Sequence, residues 1–330
     1  MGGTDNLEAY ELYLIAQGKF QNDVGYTGRA PASVDDAIAL DPEFALAWAF
    51  KALLHYYLLV FGPISRAEAE QDAALSAALK AIELEPSLAD GYNSLGYIQT
   101  SRGEFNEAES SYNKGLQLAN DTYKLIYYHY FAVGYFDKSL EVLEKMVRED
   151  ALNQELRGNY LSALGLLGNM QRAEEEYARG RALFGDKWWV WGYINMTYLR
   201  LGTDHSISRD GIVRGGSIFD AVVEHHESPE DGLVELHRLY GDIEASKDFF
   251  DISIFAAYFG DLEFSMDAME KGLSINSFGL RHVWYPIMKG VRQTPRFKKI
   301  IKEIRLVDYW KEYGWPDLCR PVGDDDFVCD

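Results

Sequence analysis

Glycine recurs along this chain at a regular interval. Gly134, Gly168 and Gly202 follow one another at steps of 34 residues, and Gly103 and Gly260 stand in similar surroundings. Most of these glycines are followed, two positions later, by Phe, Met or Leu. A period of 34 is typical of a helix–turn–helix repeat, which must stack on its neighbours to bury its apolar face. The interval therefore predicts an all-α solenoid of helix pairs.

The clearest single repeat covers residues 89–122, with Gly103 in its turn. Its second helix carries Ala108, Tyr112 and Gly115 at spacings of four and three residues, which places them on one helix face. The small residues on this face allow neighbouring helices to approach closely, and the larger apolar residues fill the space between them. Residue type and spacing together resemble the tetratricopeptide repeat (TPR).

Further repeats are placed by comparison with this one. Two of them end in Asp41-Pro42 and Glu85-Pro86, where proline stops the second helix because it lacks the N–H that the helical hydrogen bond needs. Helix starts are predicted at Ser228-Pro229, with the serine as cap, and at Thr294-Pro295. The repeats are predicted at residues 6–42, 45–86, 121–151, 154–187 and 246–279, with a further one opening at Trp188.

These repeats define the predicted domain organisation. Residues 1–279 form the TPR solenoid, with about six to seven helix pairs and an irregular insert near 203–245. Residues 280–330 form a C-terminal helical cap and tail. Lysine and glutamate on its two short helices would give it the polar outer face that a terminal repeat needs.

The order of parts resembles the C-terminal repeat region of bacterial winged-helix regulators and adenylate cyclases. The matching segments are 6–14, 39–47, 294–297 and 313–319. This resemblance implies a regulatory or sensory, non-catalytic module that binds a protein or peptide and belongs to a larger bacterial regulator. The opening Met1-Gly2-Gly3 has the character of an expression junction, so we expect a fragment of a longer protein.

In this repeat family the first helix of each pair lines a concave groove, and the resemblance assigns side chains to it. Asn93 and Asn159 occupy corresponding positions, where asparagine grips extended peptides in some family members; a hydrogen bond to a neighbouring helix is the alternative. Aromatic side chains and methionine would supply much of the binding energy. The predicted ligand-binding groove comprises Tyr56, Asn93, Tyr97, Tyr128, Asn159, Trp189, Tyr193, Met196 and Arg200.

Charge narrows the choice of partners. The net charge of -20 disfavours nucleic acid and anionic membrane surfaces, both of which require a basic footprint. No stretch is long and apolar enough for a membrane helix. A protein or peptide segment is therefore the predicted partner. The alternative function is structural self-association as a homodimer, through the open ends of the solenoid or through aromatic patches.

Few residues suggest chemistry. No phosphate-binding loop, nucleophile elbow or metal motif is present, so no enzyme activity, cofactor or metal is predicted. His225 and His226 are adjacent, and consecutive helix positions point about 100° apart, too far for one metal ion. Cys319 and Cys329 are either free thiols or a short-loop disulfide. The predicted localisation is cytoplasmic or periplasmic, and periplasmic if the disulfide forms.

A run of large side chains, Trp188-Trp189-Val190-Trp191, follows the repeat at 154–187. Adjacent helix positions cannot all face one way, so at most two of these residues are expected in the core. The others belong either to the groove or beneath the neighbouring segment at 203–217.

Overall fold

The computed structural model describes residues 3–22, 30–118, 126–185, 188, 192–201, 217–324 and 326–330. The chain divides into two compact units. Unit 1 comprises Met1–His129 with Glu244–Ser246, and unit 2 comprises Tyr130–Ile243 with Lys247–Asp330. The short stretch Glu244–Ser246 belongs to unit 1 because it is hydrogen-bonded there: Ile64 N donates to Glu244 O over 2.8 Å.

Unit 1 is built from helix pairs. α1 packs against α2, α3 against α4, and α5 against α6, and α3 also contacts the next first helix, α5. The division from unit 2 falls within α7. The helices are α1 (Leu7–Asn22), α2 (Ala30–Leu40), α3 (Ala45–Phe61), α4 (Ala67–Leu84), α5 (Ala89–Ser101), α6 (Phe105–Leu118) and α7 (Ile126–Val133).

Unit 2 continues the same construction and adds a closing segment. Two 3₁₀ stretches, Ser277–Trp284 and Pro286–Met288, separate the last repeat from the C-terminal helices. Its helices are α8 (Phe136–Glu149), α9 (Gln154–Leu166), α10 (Met170–Phe184), α11 (Tyr193–Arg200), α12 (Ser217–His225), α13 (Pro229–Gly241), α14 (Ser246–Tyr258), α15 (Leu262–Leu273), α16 (Lys289–Arg292), α17 (Pro295–Glu303) and α18 (Leu306–Tyr313).

The chain closes with a β-hairpin that the sequence analysis did not foresee. Strands β1 (Cys319–Val322) and β2 (Asp326–Cys329) pair antiparallel, with Cys319 opposite Cys329. A disulfide joins these two cysteines. Phe327 is fully buried, and its ring packs edge-on against Trp310, so the hairpin is held by packing as well as by the disulfide.

The recurring glycines lie in one type of turn. Gly103, Gly134, Gly168 and Gly260 have φ of 73°, 87°, 80° and 92°, in the left-handed region that glycine enters without steric cost. Each donates to the carbonyl three residues back, and the residue after each donates to the carbonyl five residues before itself. This is the Schellman pattern that ends a helix. Gly202 lies outside the described residues.

Small residues bring the helices together. A Cβ at Gly96 would lie 3.0 Å from the ring of Tyr112, so α5 and α6 approach closely where these two residues meet. In unit 2, Trp188 is buried against Gly180 and Gly192, where any larger side chain would overlap its indole. Of the tryptophan run, Trp188 is therefore a core residue, and residues 189–191 lie outside the described part of the chain.

The helix boundaries follow local chemistry with one exception. α2 ends at Leu40 and α4 at Leu84, just ahead of Pro42 and Pro86. Thr294 caps α17 by accepting from Phe297 N over 3.1 Å, as predicted. Ser228 precedes α13, but its hydroxyl donates to the Asp231 carboxylate over 2.6 Å instead of accepting from the backbone. The helix start predicted at Ser228-Pro229 is confirmed, but the predicted side-chain cap is wrong, because an acidic side chain one turn on takes the hydroxyl.

These features confirm the predicted fold class, an all-α arrangement of TPR-like helix pairs of the solenoid type. The domain boundary at 279/280 stays a prediction. Of the insert predicted near 203–245, residues 202–216 lie outside the described part, and the remainder holds α12 and α13.

Candidate functional site

Three of the predicted groove residues form a row of tilted, contacting rings in unit 1. Tyr56 from α3, Tyr97 from α5 and Tyr128 from α7 come from the first helices of three successive repeats. The ring centroids of Tyr56 and Tyr97 lie 4.1 Å apart, and those of Tyr97 and Tyr128 lie 4.9 Å apart. We call these three residues the tyrosine ladder. All three are at most 6% exposed, so the rings contact one another more than they contact solvent.

Asn93, one turn before Tyr97 on α5, faces the second helix of its own pair. A Cβ at Gly115 on α6 would lie 2.8 Å from the Asn93 side-chain oxygen, so glycine makes the room that this amide occupies. Asn93 is 4% exposed. This placement fits the contact with a neighbouring helix that was the alternative to a peptide-binding role, and the ligand-binding role of Asn93 stays a prediction.

A second polar cluster in unit 1 escaped the sequence analysis. Thr100 Oγ1 lies 2.9 Å from His129 Nδ1, and His129 Nε2 lies 3.3 Å from Glu109 Oε2. The order of hydroxyl, imidazole and carboxylate matches that of a nucleophilic triad. The hydroxyl is also 2.9 Å from Gly96 O, one helical turn back, and Thr100 is only 5% exposed. The hydroxyl thus lies against helix backbone and not at the surface, so the geometry supports a packing role for the cluster.

In unit 2 the predicted groove residue Asn159 is fully buried and fully engaged. Its Nδ2 donates to Glu155 O over 2.9 Å, and its Oδ1 accepts from Arg281 Nη2 over 2.8 Å. The guanidinium of Arg281 also lies 5.3 Å from the centroid of the Phe131 ring, in a cation–π contact. Asn159 thus holds an arginine from a distant part of the same chain.

A second asparagine, on the first helix of another repeat, accepts a hydrogen bond from a tyrosine of the same chain. Asn195 Oδ1 on α11 accepts from the hydroxyl of Tyr285 over 3.0 Å, and Ser162 Oγ on α9 lies 3.5 Å from that hydroxyl. Asn195 was not among the predicted groove residues. Its position two residues after the start of α11 could have been matched to that of other first-helix residues, but the degenerate repeat obscured the register.

Arg281 and Tyr285 bound a stretch of five residues that we call the crossing segment. Besides its contacts with α9 and α11, its Trp284 Nε1 donates to Ala132 O on α7 over 3.3 Å. The ring of His282 stacks on Phe250 of α14 at 5.8 Å. The crossing segment therefore contacts the first helices of four repeats. Arg292 fixes its backbone by donating from Nη1 to Val283 O and Tyr285 O over 2.6 and 3.0 Å.

The other predicted groove residues of unit 2 are not brought together with the crossing segment by any described contact. Met196 is fully buried in α11. Arg200 makes a bidentate ion pair with Glu174, with N–O distances of 2.9 and 2.6 Å, and its guanidinium lies over the Tyr177 ring. Trp189 and the side chain of Tyr193 lie outside the described residues.

A buried carboxylate lies close to the crossing segment. Asp251 on α14 accepts a hydrogen bond from the Tyr198 hydroxyl, and Lys247 Nζ is 3.7 Å from its other oxygen. Burial raises the pKa of Asp251 to about 6, and Lys247 opposes that shift only in part. Burial also lowers the pKa of the neighbouring His282 well below its ordinary value. This cluster can change charge with pH.

The described residues offer neither a metal-binding cluster nor a membrane-spanning helix. No group of three or more His, Cys, Asp or Glu side chains there could hold a metal ion. His226 Nε2 lies 3.6 Å from Glu227. None of the described helices combines the length and the apolar character needed to cross a membrane.

Comparison with known proteins yields likenesses of fold. No family model matches this sequence. No curated protein matches it either. Among solved structures, a TPR protein from Parabacteroides merdae is 13% identical, with a TM-score of 0.40, and the match covers 92% of this chain and 100% of that one. YrrB, described as a TPR protein with an unusual peptide-binding site, is 16% identical, with a TM-score of 0.32. The match covers 73% of this chain and 91% of YrrB. PilW, a type IV pilus biogenesis factor, is 16% identical, with a TM-score of 0.31. The match covers 80% of this chain and 92% of PilW. At these values the likenesses carry no information about function.

Proposed function

We propose that this chain is a non-catalytic interaction module that binds a protein or peptide segment across the first helices of its repeats. The observation that supports this function is the crossing segment. Four first helices of unit 2 already hold a stretch of polypeptide, and each contributes a separate contact to it. A surface that holds five residues of its own chain in this way has the chemistry to hold a foreign segment.

The contacts are of a kind suited to such binding. Asn159 and Asn195 offer side-chain oxygens to an arginine and a tyrosine, and the Phe131 ring accepts the guanidinium. Arginine and tyrosine are among the residues that dominate binding energy at interfaces. A hydrogen bond of this type contributes about 1 kcal/mol net, and burial of an aromatic side chain contributes about 2 kcal/mol. A few such contacts give useful affinity.

The crossing segment takes up Asn159, so we place an external ligand in unit 1, on the tyrosine ladder and Asn93. These four residues are at most 6% exposed, and binding there requires covering side chains to move. The apparent affinity is then lowered by the fraction of molecules that are open. Within unit 2, and as a separate set of contacts, we propose Trp189, Tyr193, Met196 and Arg200, with Arg200 leaving Glu174 to pair with an acidic ligand group.

The proposed setting is the regulatory or sensory part of a larger bacterial regulator. Its support is the resemblance of segments 6–14, 39–47, 294–297 and 313–319 to such proteins. The non-catalytic character is supported by the Thr100–His129–Glu109 cluster, the most enzyme-like arrangement found in unit 1, whose hydroxyl is buried.

Binding is tested with a peptide selected from a random display library on the whole chain. Its dissociation constant is measured by fluorescence anisotropy for the native protein, for Tyr97→Ala and for Tyr313→Ala, a control at an exposed tyrosine of α18. We expect Tyr97→Ala to weaken binding at least about tenfold, the loss of one anchor of about 1.4 kcal/mol, and Tyr313→Ala to leave it unchanged.

Circular dichroism and the melting temperature establish that each variant is folded at the temperature of the assay. Failure to select any peptide, or binding that is equally strong in Tyr97→Ala, would overturn the proposal that the ladder binds the ligand.

A further inference from the structure

An exposed lysine of unit 2 holds its ammonium group against two tyrosine rings. Lys138 Nζ lies 4.1 Å from the centroid of the Tyr135 ring and 5.6 Å from that of the Tyr130 ring. The two ring centroids are 6.3 Å apart. Both lysine distances fall within the range of about 6 Å over which an aromatic face attracts a cation. We call Tyr130 and Tyr135 the ammonium site.

The ring of Tyr135 is fixed by the surrounding structure. Its backbone N donates to Tyr130 O over 2.8 Å, in the turn after α7. Its hydroxyl donates to Gly314 O, and its ring packs against that of Tyr309 with the centroids 5.9 Å apart. None of these contacts depends on the lysine. The ammonium site is therefore organised in advance, as a binding site should be.

The lysine is the loosely held part of this arrangement. Lys138 is exposed, and it makes no ion pair with any described carboxylate. A cation–π contact at an exposed position is weak, and a long side chain loses rotamer entropy when it is held in one place. The Lys138 ammonium can therefore leave the two rings at little cost.

The charge around the site favours a cation in its place. Asp317 accepts hydrogen bonds from Phe136 N and Asp137 N over 2.6 and 3.2 Å, at the start of α8. Burial raises the pKa of Asp317, while these two backbone donors and the charge of Lys138 oppose that rise. Asp137 adds a second carboxylate next to Lys138 in the sequence, and the whole chain carries a net charge of -20. Such a field attracts cations to the surface.

We propose that the ammonium site binds the quaternary ammonium group of a choline-type ligand, which takes the place of the Lys138 ammonium. A quaternary ammonium has no N–H group, so ring faces can hold it without a hydrogen-bond acceptor. A lysine ammonium is strongly hydrated and gives up more on leaving water. With two rings, we expect a dissociation constant in the millimolar range. This inference is independent of the proposed peptide binding.

Binding is measured by saturation-transfer NMR on the whole chain with choline, and with its neutral isostere dimethylbutanol. We expect choline to bind and dimethylbutanol to bind much more weakly, because the rings attract the charge. Lys138→Ala should tighten choline binding about threefold, since it removes the competing ammonium. Arg148→Ala, about 15 Å further along α8, removes the same charge at an exposed position and is the matched control.

Ring variants test the contact itself. Tyr130→Leu should weaken choline binding about threefold or more, whereas Tyr135→Phe keeps the ring and should bind as the native protein does. Circular dichroism establishes that each variant is folded. A peptide with one trimethyllysine is measured beside choline. Tighter binding of the peptide would assign the ammonium group to a protein side chain, and equal or weaker binding would assign it to a free cation.

The proposal has clear contrary outcomes. Absence of choline binding in both the native protein and Lys138→Ala would overturn it. So would equal binding of dimethylbutanol, unchanged binding in Tyr130→Leu, or a gain in Lys138→Ala no larger than that in Arg148→Ala.

Discussion

Arg281 Nη2 donates a hydrogen bond of 2.8 Å to the side-chain oxygen of Asn159, across 122 positions of sequence. Both side chains are buried, at 6% and 0% exposure. A residue expected to meet an outside ligand is therefore part of the internal structure of unit 2. The relationship also means that the two asparagines at corresponding repeat positions should respond differently to mutation.

Asn159→Ala should lower the free energy of unfolding by about 1–3 kcal/mol, because it removes the acceptor of a buried guanidinium N–H. Asn159→Asp keeps an acceptor oxygen beside Arg281 and should recover much of this loss. Asn93→Ala should cost less, since among the described residues no buried guanidinium is seen to donate to Asn93. Urea unfolding followed by near-ultraviolet circular dichroism measures all three. An equal loss in Asn93→Ala and Asn159→Ala would contradict this difference.

Alanine substitutions at Gly168 and Gly134 distinguish the energetic cost of backbone strain from the cost of steric overlap. Both have positive φ, at 80° and 87°. A Cβ at Gly168 meets nothing within 4 Å, whereas one at Gly134 would lie 2.9 Å from Pro316 Cβ and 3.1 Å from the Trp284 ring. Gly168→Ala should cost about 1–2 kcal/mol, the penalty of the left-handed conformation alone.

Gly134→Ala adds the overlap and should cost about 1–3 kcal/mol more. Gly168→Asn, which tolerates the left-handed region, should be milder than Gly168→Ala. Thermal unfolding ranks the three variants, and a Gly134→Ala protein no less stable than Gly168→Ala would be inconsistent with the packing of Pro316 and Trp284.

Asp251 should make stability depend on pH. Its pKa is about 6 in the folded protein and 3.8 in the unfolded chain. The folded state therefore binds the proton more tightly, and stability from this group is complete below pH 3.8 and is lost as pH rises through 6. The loss amounts to about 3 kcal/mol.

The measurement is the difference in unfolding free energy between the native protein and Asp251→Asn, taken at several pH values from acid to neutral. As pH rises, the native protein should lose stability relative to Asp251→Asn. Asp220→Asn, at an exposed carboxylate of α12, is the control for removing one negative charge. A pH-independent difference for Asp251→Asn would show that its carboxyl group titrates normally.

The Cys319–Cys329 disulfide should stabilise the C-terminal hairpin through loop closure. For so short a loop, the double variant Cys319→Ser, Cys329→Ser should lose about 2–3 kcal/mol by chain entropy. Phe327 remains packed on Trp310, so the hairpin should stay docked at low denaturant. Hydrogen exchange at β1 and β2 should rise in the variant while exchange in α9 stays unchanged. Increased exchange in α9 as well would show that the disulfide supports the unit as a whole.

The sequence by itself determined the class of fold. Gly103, Gly134, Gly168 and Gly260 could be placed in turns because a left-handed residue at a helix end is a local requirement that glycine alone meets cheaply. Pro42 and Pro86 ended their helices, and Thr294 began one, for equally local reasons. The period of 34 residues then showed that these turns and helix ends belong to a repeated helix pair.

Only the tertiary structure decided what the side chains of the repeats contact. The groove face was inferred from helix periodicity, which tells which residues share a side but not what covers that side. Three features depend on contacts between residues that are far apart in the chain. They are the buried tyrosine ladder, the hydrogen bond from Arg281 to Asn159, and the Thr100–His129–Glu109 cluster. Such contacts depend on the tertiary packing of distant segments, which local sequence propensities do not predict.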